Sequence, residues 1–257
     1  MGEYFKAGAY PWALTGIFAA LHLVITLIPF SLSVSGTGAI SFGMISAAIV
    51  GYLLGPFYGT LSVLIGSYIG IFINPEIAVI GLTTPIATAA GALAAGLIRI
   101  KKAEFVVGIY IVAMVAYLVG PIGILVPEAL WFHVIVFLFS LLLVLPFTKK
   151  RLNNEIGLSK STSTRALFLV VLIAVCVDQA VGSAIGSFYL IYVAGLDIAL
   201  VSTFWVAVVF VYPVERIIGA LIATFILATL IESISSGYFR LPGTPAEEDL
   251  NQELEIE

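Results

Sequence analysis

The sequence predicts an all-α integral membrane protein, a polytopic helical bundle of about eight spans. Of its 257 residues, 61% are hydrophobic and 10% are charged, whereas a soluble domain carries about 25% charged residues. So much apolar surface cannot be buried inside a globule of this length, and lipid is the expected solvent. A second observation is the length of the apolar runs, several of which approach the roughly 20 residues that a span requires.

Eight apolar segments are candidate spans. Gly55-Pro56 makes the sharpest break, because proline disfavours a helical residue before it, so two helices are expected to meet there with almost no loop. A further apolar stretch, 197–212, is expected to be an interfacial or re-entrant segment on the outer face; if it spans instead, the C-terminus moves outside. The eight candidate spans are 12–30, 39–54, 57–73, 77–98, 105–126, 129–147, 166–185 and 213–235.

Orientation follows from lysine and arginine in short loops, which favour the cytoplasm. Two connectors are basic, 99–102 and 149–165, and two spans separate them, so both fit one face. This places both termini in the cytoplasm. Residues 1–235 are predicted to form one transmembrane domain, and the acidic segment 236–257 a disordered cytoplasmic tail.

Small residues recur at a spacing of four. Because residues four apart share a helix face, Gly51, Gly55 and Gly59 predict a close approach of helices. Ala13, Gly16 and Ala20 suggest the same for the first span. Internal packing and a groove for a partner membrane protein both remain open.

Polar residues at membrane depth or in the outer connectors are the candidate site. Asp178 and its neighbour Gln179 lie mid-span, where a charge is costly and is expected to face the bundle interior. Glu215-Arg216 begins the last span. The outer connectors are 31–38, which is polar and glycine-containing, and 74–85, which has two prolines and a Thr-Thr pair; a lid over the mouth of the bundle and ordinary connectors both remain open for them. The residues expected to bind substrate are Asn74, Glu76, Thr83, Thr84, Asp178, Gln179, Glu215 and Arg216.

Familiar catalytic and channel motifs are missing from the sequence. It contains no HExxH, no P-loop, no suitable serine-hydrolase motif and no potassium-channel filter, and no lysine lies mid-span. The expectation is therefore a protein that is not an enzyme, with no cofactor and no metal. No basic patch suggests nucleic acid, so no nucleic-acid partner is expected.

The segment GAISFGMISAAIVGYLLGPFYGTL, residues 38–61, and GSYIG, residues 66–70, resemble the substrate-binding S components of energy-coupling factor (ECF) transporters. In that family a glycine-dotted second helix commonly ends in a Leu-Gly-Pro-x-x-Gly turn, here Leu54 to Gly59. The start of the last span, YPVERIIGA, residues 212–220, is similar to the start of the family's final helix. The family core has six helices, so the resemblance implies an inserted hairpin at about 105–147.

The resemblance implies a lipid-embedded protein that binds a small vitamin-like or other organic substrate from outside. It implies a coupling transmembrane subunit and ATPase subunits as partners, since the chain has no nucleotide motif of its own. The family's docking face on its first helix matches only loosely, as Ala13, Gly16 and Ala20.

Three other functions remain open from the residues. Asp178 suits an ion-coupled secondary transporter, in which it would carry a proton or sodium. His22 and His133 suit an intramembrane enzyme or a haem protein, although a lone histidine is more often a packing residue. A purely structural assembly subunit is the fourth reading.

Overall fold

The computed structural model describes residues 9–28, 42–159, 162–235 and 241, and the regular structure in these residues is helical throughout. Short 3-10 turns occur at Pro75–Ile77, Gly81–Thr83 and Pro127–Leu130, and a π-helical turn, Tyr189–Val193, follows the seventh helix. The α-helices are α1 (Ala9–Leu27), α2 (Gly43–Ile73), α3 (Thr84–Arg99), α4 (Ala103–Val119), α5 (Trp131–Leu141), α6 (Pro146–Glu155), α7 (Thr164–Phe188), α8 (Ile198–Val208) and α9 (Val211–Ser235).

Several of these helices are long and apolar enough to cross a membrane. In the described residues there are five, or up to six if the bent pair Pro127–Leu141 and Pro146–Glu155 forms a single span. The prediction of an all-helical, membrane-compatible bundle is confirmed at this level. The N-terminus, the connector 31–38 and most of the acidic tail lie outside the described residues.

Helix α2 is a hairpin of two limbs, 43–54 and 56–73. Gly55 has φ 83° and ψ −179°, a conformation that only glycine adopts readily, and Pro56 starts the second limb. A Cβ built on Gly59 would lie 2.7 Å from the Cα of Gly51, so the two limbs run back along one another. The break expected at Gly55-Pro56 is therefore a chain reversal without a loop.

Arg99 at the end of α3 secures this reversal. Its Nη1 donates to the carbonyl of Leu53 at 2.8 Å, and the side chain is buried, at 6% exposure. The last carbonyls of a helix lack partners within the helix, and a cation there also offsets the negative end of the helix dipole. Gly96 lets α3 approach closely, since a Cβ there would lie 2.5 Å from the nitrogen of Pro56.

Three candidate spans begin or end differently from the sequence prediction. The segment 105–126 is helical only to Val119, where α4 ends before Gly120-Pro121 and a series of turns. The segment 77–98 starts with 3-10 turns, and its α-helix begins only at Thr84, whose hydroxyl donates to the Gly81 carbonyl at 2.9 Å. The segment 129–147 is not one continuous helix. It stops at Leu141, and Pro146 starts α6, bent by 85° from the preceding helix, because proline cannot donate to the preceding turn.

Both basic connectors lie at the end of the bundle that holds the Gly55 reversal, which we call the basic end. Lys101 donates to the carbonyls of Asn153 and Ile156, which joins the connector after α3 to the end of α6. The Tyr52 hydroxyl, on the first limb of α2, donates to the Gly157 carbonyl at 2.7 Å. The sequence prediction that the two basic connectors share a face agrees with this arrangement.

Helix α7 lies at the centre of the bundle and packs against α3, α4, α5 and α9. Its middle residues, among them Val170, Ile173 and Cys176, are fully buried. Helices α4 and α5, which fall in the predicted hairpin 105–147, both pack on α7. A buried hydrogen bond of 3.0 Å between Tyr110 and His133 links these two helices.

Candidate functional site

A cavity of about 590 Å³ lies at the end of the bundle opposite the basic end. It is bounded by the ends of α1, α2, α3, α7 and α9 and by the short helix α8. A volume of this size is typical of sites that bind small organic molecules. Seven of the eight residues expected to bind substrate line it, namely Asn74, Glu76, Thr84, Asp178, Gln179, Glu215 and Arg216.

Thr83 and Thr84 differ in their placement. Thr83 is not part of the cavity lining, and its hydroxyl donates to the Ile80 carbonyl. Thr84 lines the cavity, but its hydroxyl also holds the turn before α3, accepting from the Ile80 N–H at 3.1 Å. Both threonines therefore have local structural roles in the connector.

Asn74 and Glu76 lie at the rim of the cavity, in the 3-10 turn after α2. The side-chain oxygen of Asn74 accepts from the Glu76 N–H at 3.1 Å and caps this turn. Glu76 itself is exposed. These two residues are placed where a ligand would enter rather than at the bottom of the cavity.

Gln179 and Arg216 form the polar centre of the site. Arg216 donates to the side-chain oxygen of Gln179 and to the sulfur of Met44. Its guanidinium also lies over the ring of Tyr212, 5.9 Å from the centroid. Gln179 in turn donates to the Ser183 hydroxyl at 3.1 Å. The arginine is thus held by α2, α7 and α9 together.

Asp178 and Glu215 supply two carboxyl groups to the same cavity. Glu215 is buried, at 6% exposure, and Asp178 is half-buried. Within the described residues neither carboxyl group has a hydrogen bond or an ion pair, although the charge of Arg216 acts on both. Gly91 of α3 makes room for Asp178, whose Cβ would lie 3.0 Å from a Cβ at that glycine. Both carboxyl groups are therefore available to a ligand.

Helix α8 forms an apolar wall of the cavity with Phe204, Trp205 and Val208. The Asp197 carboxylate caps α8, accepting from the N–H groups of Ala199 and Leu200 at 2.9 and 3.1 Å. The helix has 11 residues, and at about 1.5 Å per residue it covers only about half the hydrocarbon thickness. This length agrees with the re-entrant or interfacial segment expected at 197–212.

Sequence reasoning missed the contribution of α8 to the lining. One feature of the sequence could have indicated this wall, namely the aromatic pair at 204–205 within a short apolar segment bounded by Gly195 and Pro213. Sequence reasoning also missed Met44 and Ser67, and it named His22 only as a candidate for an enzyme or haem site and not as part of this lining. All three reach the cavity because α1 and the α2 hairpin fold together.

His22 is a buried bridge between α1 and the two limbs of α2. Its Nδ1 lies 2.7 Å from the Ser46 hydroxyl, and its Nε2 lies 2.9 Å from the Ser67 hydroxyl. His133 is engaged with Tyr110 on α4. Haem ligation by His22 would require one of its two hydrogen bonds to break, whereas His133 is bonded to Tyr110 through Nδ1 alone. Among the described residues, no group of three or more histidine, cysteine or acidic side chains is arranged to hold a metal ion.

The small residues fall into two sets. Gly51 and Gly59 face each other inside the α2 hairpin, and a Cβ on Gly51 would overlap the Ala92 carbonyl of α3. Because Gly55 is the reversal itself, the three glycines do not form one helix face. The second set, Ala13, Gly16 and Ala20, lies on the side of α1 that faces away from the bundle, and nothing lies within 4 Å of a Cβ built on Gly16.

Comparisons of the chain with protein-family models, with curated proteins and with solved structures find no match. Inferences about function therefore depend on the geometry of the cavity and on the sequence resemblance.

Proposed function

We propose that this chain is the membrane substrate-binding component of an ECF-type uptake transporter. In this role it captures a small vitamin-like or other organic substrate from outside and releases it inside with a partner ATPase module. The observation that supports the proposal most is the cavity of about 590 Å³, lined by seven of the polar residues that the sequence singled out. A concave, mostly apolar cavity with a few converging polar groups is typical of a small-molecule site.

The proposed topology has eight crossings in the cell membrane and both termini in the cytoplasm. The two limbs of α2 run in opposite directions, and the basic connectors lie together at the end away from the cavity. Because lysine and arginine favour the cytoplasmic side, the cavity then opens outward. The proposed core has six helices, with α4 and α5 as the inserted hairpin 105–147.

The outward face of α1 is the proposed docking surface for the coupling transmembrane subunit. This face is a shallow groove, because its exposed side chains include the small residues Ala13, Gly16 and Ala20. Ile17 and Leu21 beside them are 56% and 50% exposed. Small residues allow close helix contact in a membrane, where packing rather than water exclusion favours association. Lipid would cover the same face when the partner is absent.

Native mass spectrometry of the detergent-purified protein tests the proposal. We expect a bound small molecule that is released when the protein unfolds. Gly182 lines the cavity, so Gly182→Val is expected to reduce occupancy. Gly108→Val is the control for the same substitution outside the cavity, since a Cβ there meets nothing within 4 Å. A Cβ on Gly182 would lie 3.4 Å from the Cβ of Ala87, so the unfolding temperature of Gly182→Val is measured as well, and it should match the wild type if only the cavity is filled. Equal occupancy in both variants, or no bound molecule in the wild type, would contradict the proposal.

An ion-coupled secondary transporter is the second candidate, and the placement of Asp178 favours it. A half-buried carboxyl group without a hydrogen bond in the described residues, inside a cavity, is suited to bind a proton or sodium ion. Uptake by the chain alone in proteoliposomes, driven by an ion gradient and abolished by Asp178→Asn, would support this alternative. Uptake only with a co-reconstituted ATPase module would exclude it.

A further inference from the structure

We propose that the cavity selects an organic cation with an aromatic or other flat apolar part. The cationic group would pair with the carboxylates of Asp178 and Glu215, and the apolar part would lie against Trp205 of α8. This inference rests on the proposed function and assigns the chemical class of its substrate.

The charges of the lining are unbalanced. Asp178, Glu215 and the rim residue Glu76 are acidic, and Arg216 is the one lysine or arginine in the lining formed by the described residues. Burying a carboxylate without a partner is costly, and a cationic ligand would offset that cost for the two inner groups. An anionic ligand would add to the imbalance.

Arg216 is already occupied by the protein. Its two terminal nitrogens donate to Gln179 and Met44, and the guanidinium lies over the Tyr212 ring. Only its Nε is without a hydrogen-bond partner. One N–H on each terminal nitrogen is therefore engaged with the protein, and the unpaired Nε is itself buried, so Arg216 has fewer accessible donors for an anionic ligand than a free guanidinium has.

The size and ligand set of the cavity favour an organic cation over a metal ion. A divalent cation such as calcium takes about six to eight oxygen ligands, and no group of three or more acidic, histidine or cysteine side chains gathers in the described residues. The volume of about 590 Å³ also far exceeds a single ion.

Aromatic side chains complete the argument. Trp205 is buried, at 6% exposure, yet reaches the cavity, and Phe204 and Tyr212 line it as well. The faces of aromatic rings attract cations and also stack with flat apolar groups. A ligand that is cationic and partly apolar would use both the carboxylates and this wall.

Three probes of similar size but different charge test the assignment: benzyltrimethylammonium, benzyl alcohol and benzenesulfonate. Binding to the full-length protein in detergent is measured by isothermal titration calorimetry and by the shift in unfolding temperature. We expect the ammonium probe to bind most tightly. Asp178→Asn and Glu215→Gln are each expected to weaken its binding about tenfold or more, because a charge-assisted contact is lost.

Two further variants keep the test clear. Glu128→Gln removes an exposed carboxylate near the same end of the bundle but outside the cavity lining, and it should leave the affinity for the ammonium probe unchanged. Asp178→Glu keeps the charge and should retain the preference for the cation. If Asp178→Asn does not fold, Glu215→Gln and Asp178→Glu still decide the question.

The outcomes separate this inference from the proposed function. Tighter binding of benzenesulfonate or benzyl alcohol, or stabilisation by sodium chloride but not by choline chloride, would overturn the cation assignment. If no probe binds but a neutral or anionic molecule co-purifies, the cation assignment fails and the proposed function stands. If no probe binds and nothing co-purifies, both fail.

Discussion

Arg216 on α9 donates a hydrogen bond to the side-chain oxygen of Gln179 on α7, and the side-chain nitrogen of Gln179 donates in turn to the Ser183 hydroxyl at 3.1 Å. Two residues expected to bind substrate are thus bound to each other. They join the central helix to the last helix at the wall of the cavity. These two polar side chains therefore stabilise the packing of the helices, whether or not a ligand is bound. Asp178 and Glu215 are the lining residues whose carboxyl groups have no hydrogen bond in the described residues and can bind a ligand.

Gln179→Leu should destabilise the protein. Leucine leaves the half-buried Arg216 guanidinium and the Ser183 hydroxyl without this partner, at an expected cost of about 1–3 kcal/mol. The measurement is the free energy of unfolding in mixed micelles during a denaturant titration. Ser183→Ala removes only the second bond and should cost less. Equal stability of Gln179→Leu and the wild type would contradict the structural role.

Gly55→Ala should be strongly destabilising for two reasons. The backbone at Gly55, φ 83° and ψ −179°, costs about 1–3 kcal/mol for a residue with a Cβ. That Cβ would also lie 2.7 Å from Nη2 of Arg99. Gly195 also has a positive φ, 68°, but nothing lies within 4 Å of a Cβ there.

Gly195→Ala is therefore the control for a glycine with positive φ in open space, and it should lower the unfolding temperature less than Gly55→Ala does. A similar effect of both substitutions would contradict the expected combined cost of the Gly55 backbone conformation and the Arg99 contact.

The all-helical membrane fold was predictable from the sequence, because it follows from the overall composition and from the lengths of the apolar segments. Both can be read without knowing how the helices pack. The sequence also located the reversal, since the effect of Pro56 on the residue before it is local. It did not predict that 129–147 breaks into α5 and α6, because the apolar run continues smoothly to Leu145 and hides the effect of Pro146. The orientation of each helix about its axis depends on tertiary packing, which a single sequence does not specify.

The candidate site was predictable where polarity at membrane depth is rare. Asp178 and Arg216 stand out in apolar runs, and both line the cavity. The position of Trp205 in the cavity wall was not predictable, because an aromatic residue in an apolar segment looks the same in the sequence whether it faces lipid or a cavity. Thr83 and Thr84 look equivalent in the sequence, and only the turn geometry separates them.

His22→Leu should lower stability without changing the visible absorption of the protein. The substitution leaves Ser67 and Ser46 without the ring nitrogens that they contact at 2.9 and 2.7 Å. We expect a cost of about 1–3 kcal/mol, with Ser46 partly compensated by its bond to the Gly43 carbonyl at 3.1 Å. A wild-type protein that carries a Soret band, lost in His22→Leu, would instead support the haem alternative.

Gly16→Leu should impair partner binding while leaving the bundle and the cavity intact. Nothing lies within 4 Å of a Cβ at Gly16, so leucine fits on the isolated chain without rearrangement. The leucine side chain would nevertheless fill the space above Gly16 on the exposed face of α1 and prevent close contact with a helix of the proposed partner.

The readout is ATP hydrolysis that co-purifies with the tagged chain from membranes of the source organism. We expect this activity to fall several-fold in Gly16→Leu, with unchanged unfolding temperature and unchanged occupancy of the cavity by its co-purified small molecule. The control is Ile17→Leu, on the same exposed face of α1. It changes the shape of the side chain but not its volume, and substitutions of this kind are tolerated best, so the co-purified ATPase activity should be retained. Undiminished ATPase co-purification with Gly16→Leu would contradict α1 as the docking surface of the proposed coupling subunit.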